Sequence, residues 1–369
     1  MYSLLVTLAQ YTIEQYDTSM SMAGLVSSIF IIGVLIGRLY AGWQVNKFGA
    51  KLLLIAGVIV FIIMTSFLFL PLNIYALILV RLFQGIGFGL GTNATGTIVS
   101  QIIPRTRSGE GIGIFSISVV LSAAIGPLIG TALMRMFDYI AIFVFSLIVG
   151  IFSLIISFFI VAPKFKKEKP SKQGMHLSNF IEYRVVPVAI IVLIGGFAYS
   201  GILSFVTTYA SEIHLAEIGG YYFLAYSLVV LLTRPISGKL MDLKGENMII
   251  YPAFLFYALG MFVLSQATSN FLFILAAILL GLGYGNFQSI TQAIAIKVTP
   301  KERMGLANST YFIFYDVALG IGPFFLGFVI PVIGFRYMYL LFVGLILLTA
   351  GLYYLLCDRR FRFSFLKNR

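Results

Sequence analysis

Arg38-Leu-Tyr-Ala-Gly42-Trp-Gln-Val-Asn46-Lys47-Phe-Gly49 is answered, 196 residues on (234 − 38), by Arg234-Pro-Ile-Ser-Gly238-Lys-Leu-Met-Asp242-Leu-Lys244-Gly245. Three further pairs share that offset. Gly85-x-Gly87-x-Gly89 returns as Gly281-x-Gly283-x-Gly285, the set Pro104, Arg107 and Gly109 as Pro300, Arg303 and Gly305, and Gly126-Pro127 as Gly322-Pro323. One offset across four separated motifs means that the chain is two copies of one bundle.

The bundle is built for lipid. Sixty per cent of the residues are hydrophobic and 10% charged, with a mean hydropathy of +1.01. Soluble domains carry about 25% charge, and no single water-soluble core hides so much apolar surface. A lone cysteine, Cys357, excludes a disulfide framework and a cysteine-rich metal site. The net charge of +12 raises the possibility of nucleic acid, but the basic residues sit in short loops between apolar runs, which is the positive-inside pattern.

Apolar runs over 20–42, 50–71, 73–101, 109–134, 137–162, 185–208, 218–241, 248–268, 270–297, 304–331 and 334–357 are each long enough to cross a hydrocarbon core of about 30 Å. The repeat partner of the run opening near Val185 would begin before Met1. Residues 1–11 therefore read as the outer half of a first span whose beginning is absent, giving an expected twelve spans in two sixes. One set of connections holds Lys47, Lys51, Arg105, Arg107, Lys164, Lys166, Lys167, Lys169, Lys172, Arg184, Lys239, Lys244, Lys301 and Arg303. The opposite set holds Arg135 and Arg336 beside five acids, so the basic side, with both termini, is expected to be cytoplasmic. The expected organisation is a first bundle over 1–162, a basic linker over 163–184, a second bundle over 185–357 and a basic tail over 358–369. Paired repeats of apolar helices are the construction of secondary transporters.

Gly42-Trp-Gln-Val-Asn46-Lys47-Phe-Gly49-Ala-Lys51 resembles motif A of the major facilitator superfamily, and Gly238-Lys-Leu-Met-Asp242-Leu-Lys244-Gly245 looks like its second copy. Arg81-x-x-Gln84-Gly85-x-Gly87-x-Gly89 resembles motif B of that family. Gly126-Pro127-x-x-Gly130 is similar to motif C, which the family associates with antiporters. The resemblance covers the whole chain except the missing start. It implies an all-α membrane protein of two six-helix bundles around a central cavity, working by alternating access, in the twelve-span drug:proton antiporter branch.

The residues support gating on their own terms. Helices in lipid associate through close backbone approach, which small residues allow. Gly85, Gly89, Asn93 and Gly96 make one small-residue stripe, and Ser122, Gly126 and Gly130 another. Pro127 and Pro323 remove backbone donors and favour kinks. Asp242 follows a helix end and, by pseudo-symmetry, should face the start of span five near Gly109, where a carboxylate gains from the helix dipole. In the first copy Asn46 replaces the acid, which weakens that latch. Arg38, Arg234, Lys47 and Lys51 serve equally as topogenic charge.

Few charges lie within spans. Asp316 is the sole acid placed deep in one, and Arg81 lies inside span four. Intramembrane ionisable groups mark function by default, so both are candidates for proton coupling. Asn93, Tyr199, Tyr222, Tyr226, Gln288, Gln292, Asn308, Tyr311 and Tyr315 are candidate cavity residues, whose amphipathic rings suit a partly apolar ligand. No helix-borne histidine pair, phosphate-binding loop or nucleophile elbow occurs, so neither an enzyme nor a cofactor or metal is expected. The expected activity is proton-coupled export of a small, partly hydrophobic compound across the plasma membrane by a monomer, with lipid and no nucleic acid as partners. Transport of a polar metabolite (a sugar, amino-acid derivative or metallophore) is the alternative, and a truncated, non-transporting remnant the second.

Overall fold

The computed structural model describes residues 2–18, 20–70, 73–162 and 180–358, and among them the chain is helical with no strand. Most of the expected linker, with His176, and the tail from Arg359 fall outside the described residues. In order, the helices are α1 (Tyr2–Tyr16), α2 (Met20–Phe48), α3 (Ala50–Phe67), α4 (Ile74–Ile102), α5 (Ser108–Met136), α6 (Tyr139–Phe159), α7 (Val186–Glu212), α8 (Gly219–Lys244), α9 (Asn247–Ser265), α10 (Asn270–Leu280), α11 (Asn286–Lys297) and α12 (Met304–Tyr353). Among the described residues, ten stretches are long and apolar enough to cross a membrane. The last holds both expected final spans, separated where Gly334 takes φ 76° inside α12. Helix α1 reaches Tyr16, five residues past the expected end of the first span.

Two corrections follow from the helix ends. Hydropathy alone would stop α2 at residue 42 and α8 at 241, with Asp242 beyond the helix. Both helices run on through the motif, to Phe48 and Lys244. They stop at repeat-related glycines, Gly49 at φ 85° and Gly245 at φ 88°. In each case the glycine N–H donates back to a carbonyl four residues earlier, Val45 and Met241, both at 2.9 Å. A side chain is strained in that left-handed conformation, so glycine fixes the end. The span over 270–297 is also interrupted: Gly281–Gly285 forms a π-helical turn between α10 and α11. Its repeat partner, Gly85 to Gly89, is continuous α-helix inside α4.

The helices form two compact units. The first takes in α1 to α4, α6, α5 from Leu121 on, and residues 300–313 at the start of α12. The second takes in Ile103–Val120, α7 to α11, and α12 from Phe314 on. In the first unit, α2 meets α4 backbone to backbone. A Cβ on Gly33 would come within 2.1 Å of the Leu82 carbonyl oxygen, and one on Gly85 within 2.1 Å of that of Phe30. The opposite side of α4 carries Gly87, whose Cβ would lie 2.8 Å from the Gly57 oxygen of α3. In the second unit the π turn occupies the equivalent place, and a Cβ on Gly283 would meet the Tyr257 nitrogen at 2.3 Å. Large apolar side chains face outward, among them Phe152, Leu232, Phe324, Phe328 and Leu348. That is the arrangement expected when the solvent is lipid.

Candidate functional site

The second copy of the arginine–glycine–acid motif closes on the start of α5. Pro104 opens a 3-10 turn over Arg105–Arg107, and α5 begins at Ser108 with its first N–H groups unsatisfied by the helix. Asp242 supplies the acceptors: its Oδ1 accepts from Gly109 N–H at 2.8 Å and its Oδ2 from Glu110 N–H at 2.9 Å. A carboxylate there gains from both charge-assisted hydrogen bonds and the helix dipole. The approach needs two glycines. A Cβ on Gly238 would sit 2.4 Å from the Gly109 oxygen, and one on Gly109 2.5 Å from that of Gly238. Arg107 forks onto Glu110 through Nε and Nη2 at 2.8 and 2.9 Å, and Arg105 Nη2 donates to the Thr299 carbonyl at 3.1 Å.

The first copy is built differently around the start of α12. Pro300 opens the matching 3-10 turn over Lys301–Arg303. Asn46 lies in the place equivalent to Asp242, yet its Oδ1 is buried with no hydrogen-bond partner. Here α2 and α12 meet through side chains: a Cβ on Gly42 would meet Ser309 Cβ at 2.5 Å, and one on Gly305 would meet Val45 Cγ1 at 2.3 Å. Ser309 Oγ donates to the Arg38 carbonyl at 2.7 Å, and Asn308 Nδ2 donates to Ser100 Oγ at 3.0 Å. Lys51 Nζ caps the end of α6, donating to the Phe158 carbonyl at 2.8 Å, and Lys47 lies over the Phe48 ring.

The two repeat arginines also part company. Arg234 is 1% exposed and donates through Nε and Nη2 to the Gly285 carbonyl, at 3.1 and 3.0 Å, and through Nη2 to Gln288 Oε1 at 2.5 Å. A π turn frees a carbonyl from the helical ladder, and this guanidinium covers it. Arg38 instead lies over the Phe312 ring at 4.4 Å. Arg81 has no counterpart in the second copy, where the offset lands on Ala277. It is 1% exposed, donates to Gln84 and lies over Phe30 at 4.5 Å. Gln84 Nε2 in turn donates to Thr65 Oγ1 at 2.8 Å.

The candidate cavity residues divide between the units. Asn93, Asn308 and Tyr311 belong to the first. Asn93 is fully buried, with its Nδ2 unpartnered, and Tyr311 packs edge-on to Phe312. In the second unit Tyr199 stacks on Tyr284 at 3.8 Å and 12°, and lies 5.8 Å from Tyr226. Tyr315 adjoins this group, near Tyr284, Tyr226 and Arg234, and Asp316 follows it in α12. Tyr222 packs on Phe273, and Gln292 is buried. Gly130 packs on Ser3 and Gly322 on Ser200. Gly126, Pro127 and Pro323 lie within helices that run on through them. Sequence reading missed Tyr284, hidden among glycines, and Glu182, a buried acid at the close of a charged segment.

The family profile of the Major Facilitator Superfamily matches residues 1–268 and 225–364. The chain belongs to this superfamily. It is a multi-pass membrane transporter and not an enzyme. It is 28% identical over 326 residues to an uncharacterised MFS-type transporter of Methanocaldococcus jannaschii, covering 86% of this chain and 84% of that one. It is 25% identical over 350 residues to the multidrug resistance protein MdtG of Dickeya zeae, covering 92% and 86%. The human organic anion transporter MFSD10 shares the fold, with a TM-score of 0.78 at 15% identity over 93% of this chain and 88% of that one.

Proposed function

We propose that this transporter exports small, partly hydrophobic compounds from the cell in exchange for protons, by alternating access in the plasma membrane, with both termini in the cytoplasm. The observation that carries this reading is the Asp316 carboxylate. It lies twelve residues beyond Met304, deep in α12 and half-buried, and directly follows Tyr315, which adjoins the tyrosine group of α7, α8 and the π turn. An ionisable side chain inside a span is expensive to keep and marks ion pathways. A carboxylate that meets each side of the membrane in turn can load a proton on one and release it on the other. The stacked tyrosines offer apolar faces with polar rims, which suits an amphipathic compound. The multidrug resistance protein among the relatives supports the same substrate class. The Asp242 contact supplies a latch at the basic-loop end, which opens and closes once per cycle.

The test is transport in everted membrane vesicles under an imposed pH gradient, across a panel of amphipathic compounds and polar metabolites. Gradient-driven accumulation of an amphipathic compound is expected. Asp316→Asn should abolish it at matched protein levels, while substrate exchange without net proton movement survives. Asp316→Glu should keep partial coupling with a shifted pH optimum. Full gradient-driven transport by Asp316→Asn would remove this residue from the mechanism, and accumulation of polar metabolites alone would replace the substrate class.

A further inference from the structure

The first-copy latch lacks its acid, yet the start of α12 has a negative partner from elsewhere. Glu182 stands at the end of the segment that joins the two repeats. Its side chain is 0% exposed, and its Oε2 lies 2.6 Å from Arg303 Nε. Its own N–H donates to Thr310 Oγ1 at 2.9 Å. Two residues earlier, Phe180 packs on the ring of Trp43, inside the first-copy motif, at 5.4 Å. Residues 180–182 therefore touch α2 through one side chain and the first turns of α12 through the next. That is the job Asp242 does between α8 and α5.

The repeat explains why an outside acid is needed. In the first copy of the turn, Arg107 finds Glu110 one helical turn on. The residue equivalent to Glu110 at the start of α12 is Leu306, and the residue equivalent to Asp242 is Asn46. Both acids of this pattern are missing at the α12 end, and one buried carboxylate stands beside the remaining arginine. A buried charge persists only where it is paired, so Glu182 is placed there by its contacts rather than by the polarity of a linker.

We propose that Glu182 is a positioning residue of the transport cycle: it supplies the negative charge that position 46 lacks, and holds the start of α12 on α2 and α4. The proposal rests on alternating access, but its test needs neither substrate nor proton gradient. In a background with Cys357→Ala, a Ser100→Cys reporter sits under Asn308 in the closed contact. Its labelling rate by a water-soluble maleimide, in purified protein, reads release of α12. Glu182→Gln should raise that rate at least fivefold, and adding Asn46→Asp should return it to within twofold of the parent. A control reporter, Ser146→Cys in α6, should keep its rate throughout.

An unchanged Ser100→Cys rate in Glu182→Gln overturns the proposal. So does failure of Asn46→Asp to restore it, or an equal rise at Ser146→Cys, which would mean general loosening. Should Glu182→Gln not accumulate, Arg303→Gln breaks the same pair from its exposed end. It is expected to raise labelling likewise, and a parental rate there overturns the proposal as well.

Discussion

At the start of α5 two backbone N–H groups end on the Asp242 carboxylate, and glycine backbones touch at Gly109 and Gly238. At the start of α12 the same motif presents Asn46, with its Oδ1 unpartnered, and the helices meet through Ser309 and Val45 side chains. The buried acid there is Glu182, on Arg303. The two ends arise from one ancestral sequence and keep the same turn, the same terminating glycine and the same arginine. What differs is where the charge comes from and whether backbone or side chain fills the crossing. Pseudo-symmetry preserved geometry, which backbone sterics fix, and let the electrostatics drift, because a negative charge can reach a helix start from more than one place.

Steric differences should break the comparison hardest. Gly238→Ala drives a methyl group into the Gly109 carbonyl, and neither backbone can yield. We expect a cost of about 3 kcal/mol, at the top of the usual range for overpacking, read as labelling of a Met241→Cys reporter, which lies against Gly109. Gly305→Ala meets Val45 Cγ1, which can rotate away, and should cost about 1 kcal/mol at the Ser100→Cys reporter. Equal effects at the two ends would refute the distinction between backbone-filled and side-chain-filled crossings.

Charge comes next. Asp242→Asn keeps the size but offers one acceptor oxygen where two N–H groups converge, and turns an amide NH2 toward the other. Losing one charge-assisted bond and the dipole term should cost about 2 kcal/mol, roughly a thirtyfold shift toward the released state. The Met241→Cys labelling rate checks this. A rate within threefold of the parent would mean that glycine packing alone holds the α5 end.

The repeat arginines sharpen the comparison at smaller amplitude. Arg234 spends its fork on the Gly285 carbonyl and Gln288, whereas Arg38 lies over the Phe312 ring. An ammonium cannot reproduce the fork, so Arg234→Lys should cost about 1.5 kcal/mol. It can still sit over a ring, so Arg38→Lys should cost about 0.5 kcal/mol. Thermal unfolding of the purified variants measures both, and the reverse order would undo the assignment of Arg234 to the π turn.

Much of this was legible in the sequence and some was not, for physical reasons. Apolar run lengths located the spans to within a few residues, because lipid solvation acts on every residue of a span. The true ends of α2 and α8 were lost to the same criterion, since Asn46, Lys47, Asp242 and Lys244 are polar although helical. Gly49 and Gly245 carried the missing signal. The repeat offset paired position 242 with the start of α5, because local geometry is copied with the sequence. The π turn left no trace, as Gly281 to Gly285 and Gly85 to Gly89 read alike. Glu182 was hidden because its burial depends on Arg303, 121 residues away, while its neighbours in sequence resemble a solvated tether.

The smallest effect is expected from Asn46→Asp alone. A carboxylate near a helix start gains about 0.3–1 kcal/mol, so the Ser100→Cys labelling rate should fall by no more than about fivefold. Glu182 already brings a negative charge to this helix start, and a second one adds repulsion that offsets part of the gain. The size of the change should therefore depend on Glu182, with tightening largest when that residue is neutral. Added salt should weaken the Glu182–Arg303 pair only in part, because Glu182 is fully buried while Arg303 is partly exposed. A rise in labelling with Glu182 intact and also with Glu182→Gln would mean that the crossing of α2 and α12 cannot accommodate charge at position 46. The difference between the two ends would then be one of packing, and Asn46 would be the residue that fits rather than an acid that was lost.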